Sequence, residues 1–158
     1  AGFKCLTFSA EIFTEVLLNG ITVYTLDNVL LWKYGLSKAF DNPYVGYGHR
    51  LQPGERYSAR TMTKRQADAL LRKDLRKFCA MFQQFGKDSL LLATLAYNVG
   101  PYRLLGSGKI PKSTLIRKLE AGDRNIYREY IAFCNYKGKR HAMLLKRRKA
   151  EFALLYVP

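Results

Sequence analysis

Histidine, cysteine and acidic residues are scarce in this chain, and each scarcity argues against a class of site. The sequence has two histidines and three cysteines, without a Cys-x-x-Cys spacing, so it does not favour a zinc site, and we expect no bound metal. The odd cysteine count and the apolar surroundings of Cys5, Cys79 and Cys134 favour reduced, buried thiols over a disulfide framework.

Acidic residues are outnumbered, and the excess of positive charge is placed unevenly. Twelve Asp and Glu residues stand against 27 Lys and Arg, which gives a formal net charge of +15 over 158 residues. Residues 1–42 contain three basic and four acidic side chains, so the excess lies entirely in the remainder. Such a surface favours a polyanionic partner: nucleic acid, an anionic membrane or an acidic cell-wall polymer.

Long apolar runs are also missing. The best candidate for a membrane span, "ITVYTLDNVLLW" at residues 21–32, is too short and contains Asp27. The first residues lack the basic segment and clean apolar run of a signal peptide. We therefore expect a soluble protein.

The remaining pattern predicts an α+β architecture. In "DNPYVGYGHRL", residues 41–51, alternating glycine and aromatic or β-branched residues indicate a short β-hairpin. Thr63 and Gln66 form a capping box that opens a helix predicted over residues 63–85. Further helices are predicted over residues 88–99, 113–122, 123–134 and 141–156. We predict a single domain, with a helical segment and hairpin lobe at 1–62 and a linking helix and helical lobe at 63–158.

Five stretches in this order resemble the bacteriophage-type lysozymes, the muramidases of glycoside hydrolase family 24. "YVGYGH" at 44–49 is similar to the hairpin strand TIGYGH of that family. The other four are "MTKRQADALLRKDL" at 62–75, "ATLAYNVG" at 93–100, "STLIRKLEAGD" at 113–123 and "MLLKRRKAEFALL" at 143–155. The resemblance covers residues 43–157 and implies a lysozyme-like fold.

The resemblance also implies a function. It indicates a monomeric peptidoglycan hydrolase that needs no cofactor and cleaves the β-1,4 bond between N-acetylmuramic acid and N-acetylglucosamine. It would act on the cell wall, as a periplasmic or secreted protein, or as a phage-encoded protein that is cytoplasmic before lysis. A nucleic-acid partner is not expected, because the basic stretches "KRHAMLLKRRK" and "RKDLRK" come without a recognised nucleic-acid motif and are usually solvated helix faces.

Substrate-binding positions follow from the matched motifs. In this family the hairpin forms a wall of the sugar cleft, which implies that Tyr44 and Tyr47 offer flat ring faces to pyranoses. The alternative is that both tyrosines only pack the hairpin. The matched motifs add these candidates: Tyr34, Tyr97, Asn98, Ser113 and Thr114.

His49 has a structural and a catalytic interpretation, and the resemblance favours the structural one. The family histidine pairs with an aspartate of the following helix, a position that Asp74 occupies here. We therefore predict an ion pair that raises the pKa of His49 and lowers that of Asp74.

The catalytic carboxylates are the point of departure from the family. Glycoside hydrolysis needs a general acid and a second group that stabilises positive charge. "WKYGL" places Tyr34 where the family has its glutamate, and only Asp41 matches the aspartate. Glu15, or Glu11 one turn earlier, is the candidate acid, although both also suit a solvated helix face. An inactive protein that binds cell-wall glycan is the alternative function.

Overall fold

The computed structural model describes residues 44–46, 49–57 and 61–158, and this part of the chain is α+β. The strands and helices, in chain order, are β1 (Tyr44–Val45), β2 (His49–Arg50), α1 (Lys64–Met81), a 3-10 helix (Gln83–Asp88), α2 (Ser89–Val99), α3 (Pro101–Leu105), α4 (Thr114–Glu120), α5 (Tyr127–Ile131), β3 (Asn135–Tyr136), β4 (Lys139–Arg140) and α6 (Ala142–Leu155). The predicted segments between residues 1 and 43 lie outside the described residues.

The predicted β-hairpin is confirmed. Strands β1 and β2 pair antiparallel, with Val45 opposite His49. Gly46 has a φ of 59°, and a Cβ there would lie 3.3 Å from the sulfur of Met62. The hairpin therefore turns tightly against the start of α1, and a small core forms from Val45, Met62, Ala67 and Leu70.

Helix α1 begins as predicted and ends earlier than predicted. The Thr63 side chain accepts from the Gln66 amide at 3.1 Å, and the Gln66 side chain accepts from the Thr63 amide at 2.9 Å. The helix ends at Met81 instead of continuing to residue 85. Ser89 Oγ donates to the Phe82 carbonyl at 2.9 Å. In a continuing α-helix this carbonyl would instead accept from the backbone amide four residues further along the chain.

Helix α2 is the centre of the large core. Eight consecutive residues, Ser89 to Ala96, are buried, and α1 and α6 pack against the helix. Asp88 precedes α2 as predicted but makes no side-chain cap. Its buried carboxylate instead accepts from Arg124 Nε at 2.9 Å and Nη2 at 2.8 Å, so Asp88 ties this corner to the segment before α5.

Two further local predictions need correction. The helix expected from residue 123 begins at Tyr127, because Asp123 Oδ1 accepts from the Asn125 amide and closes a turn instead. The stretch "YKGKR", whose glycine and basic residues indicate a loop, instead forms the last residue of β3, the turn and β4 of the second hairpin. Lys137 and Gly138 form its two-residue turn, with φ values of 50° and 77°.

The cysteine prediction is half right. Cys134 is a buried free thiol, as expected. Cys79 is disulfide-bonded, so the expectation of a reduced thiol is wrong there. Of the helices that the structure describes, none has the length and apolar character needed to cross a bilayer.

The capping box of α1 gives a first testable prediction. Thr63→Ala removes one acceptor for the helix N-terminus, so the free energy of unfolding should fall by about 1 kcal/mol. Thr61→Ala, an exposed threonine two residues earlier, is the matched control and should change stability by less than about 0.5 kcal/mol. Urea unfolding of both variants measures the difference, and equal effects would contradict a role for the cap.

Candidate functional site

A half-open groove of about 550 Å³ lies between α2–α3, the loop before α4, and the β3–β4 hairpin. Its apolar walls include Ile110, Pro111, Phe133 and Leu144. Its polar lining consists of Asn98, Arg103, Ser113, Asn135 and Tyr136. Arg103 is a charged residue of this lining, and none of the described residues that line the groove is a carboxylate. The described part of the groove is therefore suited to hold a polar or anionic ligand, and it supplies no general acid.

Gly106 allows the loop wall of the groove to pack closely. Its φ is 81°, and a Cβ there would lie 2.8 Å from the Lys112 amide nitrogen. The loop returns on itself through reciprocal hydrogen bonds between Ser107 and Ile110 of 2.8 and 3.2 Å. Ile110 and Pro111 are thus fixed against the groove by a backbone approach that only glycine permits.

Two of the predicted substrate-binding residues meet in this groove. Asn98, near the end of α2, and Ser113, the N-cap of α4, both line it. Thr114 is exposed in the first turn of α4 and is not part of the lining. Tyr97 is also absent from the lining, and its ring lies edge-on to Phe78 at 6.3 Å between centroids. Burial raises the pKa of Tyr97 well above its ordinary value, and the charge of Asp74 adds to this effect.

Most of the other candidate catalytic and substrate-binding residues are not among the residues that the structure describes. Glu11, Glu15, Tyr34, Asp41 and Tyr47 lie outside the described residues. Tyr44 belongs to β1, so its backbone position in the hairpin is as predicted.

A buried ionic cluster lies behind the groove. Glu151 accepts from Arg147 Nε at 2.7 Å and from Arg148 Nη1 at 2.5 Å, and Tyr130 donates to it at 2.8 Å. Arg148 also donates to the Asn98 side-chain oxygen and, at 2.9 Å, to the Phe133 carbonyl. Both Asn98 and Phe133 line the groove, so this cluster shapes its wall.

The burial of this cluster corrects the prediction that "KRHAMLLKRRK" is a solvated helix face. Arg148 is fully buried, Arg147 is 4% exposed and Glu151 is 1% exposed. Burial raises the pKa of Glu151, but the two guanidinium charges outweigh it and hold that pKa below its usual range. The signal was in the sequence: Arg147 and Arg148 precede Glu151 by four and three residues, so all three lie on one face.

His49 forms the predicted ion pair and a second that was missed. Its Nδ1 lies 2.6 Å from Asp74 Oδ2, which confirms the expected contact. Its Nε2 lies 2.8 Å from Glu55 Oε2. Both ring nitrogens therefore contact carboxylates, which supports a structural role and leaves neither nitrogen free to act as a catalytic base.

The pKa shifts around His49 differ from the prediction in one respect. Burial lowers the pKa of His49, but hydrogen bonds to Glu55 and Asp74 outweigh it and raise that pKa, as expected. The pKa of Glu55 is lowered, first by its hydrogen bond to His49. The pKa of Asp74 is raised, not lowered, because burial outweighs the favourable contact with His49.

Within the part of the chain that the structure describes, no group of three or more histidine, cysteine, aspartate or glutamate residues is arranged to hold a metal ion.

Comparison with known protein families gives one match. The family model described as phage lysozyme matches residues 33–151, which is most of the chain and spans every described element except the last turn of α6. The matched range includes Tyr34 and Asp41, while Glu11 and Glu15 lie before it. No match to a curated protein was found.

The ionic cluster of α6 predicts a large stability effect. Glu151→Gln leaves two buried guanidinium groups without their countercharge, so the free energy of unfolding should fall by about 3–5 kcal/mol. Glu120→Gln is the matched control, since Glu120 pairs with Lys112 on the surface and should contribute at most about 1 kcal/mol. Equal losses in chemical unfolding would show that the buried cluster does not stabilise this fold.

The His49 cluster predicts a pH dependence. Because the folded pKa of His49 is raised above 6.5, its contribution to stability is fully present below 6.5 and is lost as pH rises through the folded pKa. The difference in melting temperature between the wild type and His49→Gln should therefore be largest below 6.5 and shrink at higher pH. A difference that stays constant between about pH 5 and pH 9, or an NMR titration of His49 at or below 6.5, would contradict this interpretation.

Proposed function

We propose that this chain, which belongs to the phage lysozyme family, is a peptidoglycan hydrolase that cleaves the β-1,4 bond between N-acetylmuramic acid and N-acetylglucosamine. One observation of the structure carries the proposal. Asn98 and Ser113, two substrate-binding positions expected from two separate family motifs, line the same groove. Exposed Tyr136 adds an aromatic ring at its rim, as saccharide sites often have.

The charge of the surface supports a cell-wall substrate. Of the eight carboxylates in the described residues, all but Asp68 form ion pairs within the protein. The basic residues greatly outnumber them, so most of the net charge of +15 remains on the outside. Anionic wall polymers would be attracted by this field, and salt would weaken the attraction.

Catalysis requires a proton donor, and the candidates are carboxylates among the first 41 residues. Asp41 would stabilise developing positive charge, and Glu15 would protonate the leaving oxygen. Tyr34 takes the place of the family glutamate, and its phenol, with an ordinary pKa of about 10, is a poor proton donor at neutral pH. Tyr34 would then contact the sugar, together with Tyr44 and Tyr47, whereas Tyr97 and Thr114, which do not line the groove, would not.

Tyr34 also motivates a second candidate function. A protein that retains the groove but lacks the acid would bind glycan without cleaving it. The groove is compatible with this alternative, since the part of its lining that the structure describes contains no carboxylate.

Lysis of a peptidoglycan suspension, followed by turbidity, tests the proposal. The wild type should clear the suspension, and Asp41→Asn and Glu15→Gln should each lower the rate by about 100-fold or more while remaining folded. Asp123→Asn, an exposed aspartate of the described chain, is the control and should lyse normally.

The same assay distinguishes the alternatives. A folded wild type that binds peptidoglycan without lysing it would overturn the hydrolase and favour the binding protein, and Tyr34→Glu should then create lysis. Lysis that survives Glu15→Gln and Glu11→Gln combined would exclude both glutamates as the acid.

A further inference from the structure

Three hydrogen-bond acceptors in the helical wall of the groove are occupied from inside the protein. Arg148, which is fully buried, donates to the Asn98 side-chain oxygen and to the Phe133 carbonyl. Ser113 Oγ accepts from the Ile116 amide at 3.3 Å, as the cap of α4. These contacts engage a groove-lining acceptor on each of Asn98, Phe133 and Ser113.

The orientation of the Asn98 amide follows from the chemistry of its partner. A guanidinium group has five N–H donors and no acceptor, so the side chain of Asn98 must turn its oxygen, not its nitrogen, towards Arg148. Among the described residues, no acceptor contacts the Asn98 amide nitrogen. Its NH₂ group is therefore the part of the amide that remains for a ligand.

Two other side chains of this wall, Ser113 and Arg103, also present hydrogen-bond donors to the groove. The Ser113 hydroxyl accepts from a backbone amide and keeps its hydrogen for donation. Arg103, a charged residue of the lining, can only donate. Across the groove, Asn135 and Tyr136 can both donate and accept, so the selectivity lies in the helical wall.

We propose that Asn98 is a specificity-determining residue whose amide NH₂, held in place by the buried Arg148–Glu151 pair, binds a carbonyl or carboxylate oxygen on a substituent of the glycan. This inference rests on the proposed saccharide substrate and names the chemistry that the groove selects. Arg148 is a positioning residue, because it acts through Asn98. An N-acetyl carbonyl and the carboxylate of a muramic acid share this acceptor chemistry.

Asn98→Asp separates ligand binding from structure. The aspartate retains the acceptor for Arg148 and gains a charge-assisted bond, so the melting temperature should stay the same or rise. In the groove, however, the donor is replaced by a carboxylate oxygen. The affinity for a tetrasaccharide of alternating N-acetylglucosamine and N-acetylmuramic acid, measured by calorimetry, should fall about tenfold or more.

Asn125→Asp is the matched control. It makes the same chemical and charge change on the exposed turn before α5, and it should leave the affinity unchanged. A further ligand, the N-acetylglucosamine tetramer, identifies which oxygen of the glycan is the acceptor. If the N-acetyl carbonyl is bound, Asn98→Asp should weaken the N-acetylglucosamine tetramer as much as the muramic tetrasaccharide. If the carboxylate is bound, the loss should be confined to the muramic ligand.

A tetramer of unacetylated glucosamine carries an ammonium group on each sugar. Its affinity is a readout that a purely structural role for Asn98 would not change. This tetramer should bind Asn98→Asp better than it binds the wild type. As a measurement independent of any variant, the side-chain NH₂ resonances of Asn98 should shift on adding the muramic tetrasaccharide to the wild type. Absence of that shift, or equal affinities of the wild type and Asn98→Asp for every ligand, would overturn the inference.

Failure of the inference and failure of the proposed function give different results. Loss of affinity in Asn98→Asp with a wild type that never lyses peptidoglycan supports the inference and rejects the hydrolase. Normal lysis with an unaffected Asn98→Asp rejects the inference and leaves the hydrolase in place. A wild type that binds none of the saccharides overturns the inference and, if it also fails to lyse, the proposed function.

Discussion

The ion pairs of Glu151 with Arg147 and Arg148 are the interaction on which the helical part of this protein depends. Burying three charges carries a large desolvation penalty, which is offset only when each group finds partners in good geometry. Here Tyr130 on α5, Asn98 on α2 and the Phe133 carbonyl supply the remaining hydrogen bonds. Few arrangements of α2, α5 and α6 satisfy all of them at once, so the cluster specifies how these helices fit together as well as contributing to stability.

The same cluster connects the core with the groove. A guanidinium group that engages the acceptors of one wall changes what that wall offers to a ligand, although Arg148 itself is fully buried. At the hairpin, His49 is engaged in a comparable way, since both of its nitrogens contact carboxylates. Arginine and histidine often bind ligands or take part in catalysis. Here Arg148 and His49 instead hold their neighbours in place.

Local signals in the sequence predicted much of the fold, and the errors share a physical cause. The Thr63 cap, the apolar stripe of α1 and the glycine-containing hairpin act over a few residues, so they could be recognised without the structure. Asp88 and Asp123 also have the local signature of helix caps, but Asp88 binds Arg124, 36 residues away, and Asp123 closes a turn. For the groove, the motifs named Asn98 and Ser113, which the structure places in one lining; their contact with substrate stays a prediction. Arg103, Asn135 and Tyr136 were missed because only the tertiary packing of α3 and the second hairpin brings them to it.

The burial of α2 has a consequence for how the protein folds during synthesis. Eight successive residues of this helix are buried, and the elements that pack against it include α1 before it in the sequence and α3 and α6 after it. When α2 leaves the ribosome, only α1 is available to pack against it, and α3, α4, α5 and the second hairpin are still to come before α6. The nascent chain therefore exposes one side of its most apolar helix until late in translation. Stable folding of the large core must await α6, and until then this helix is a natural site for chaperone binding or for aggregation.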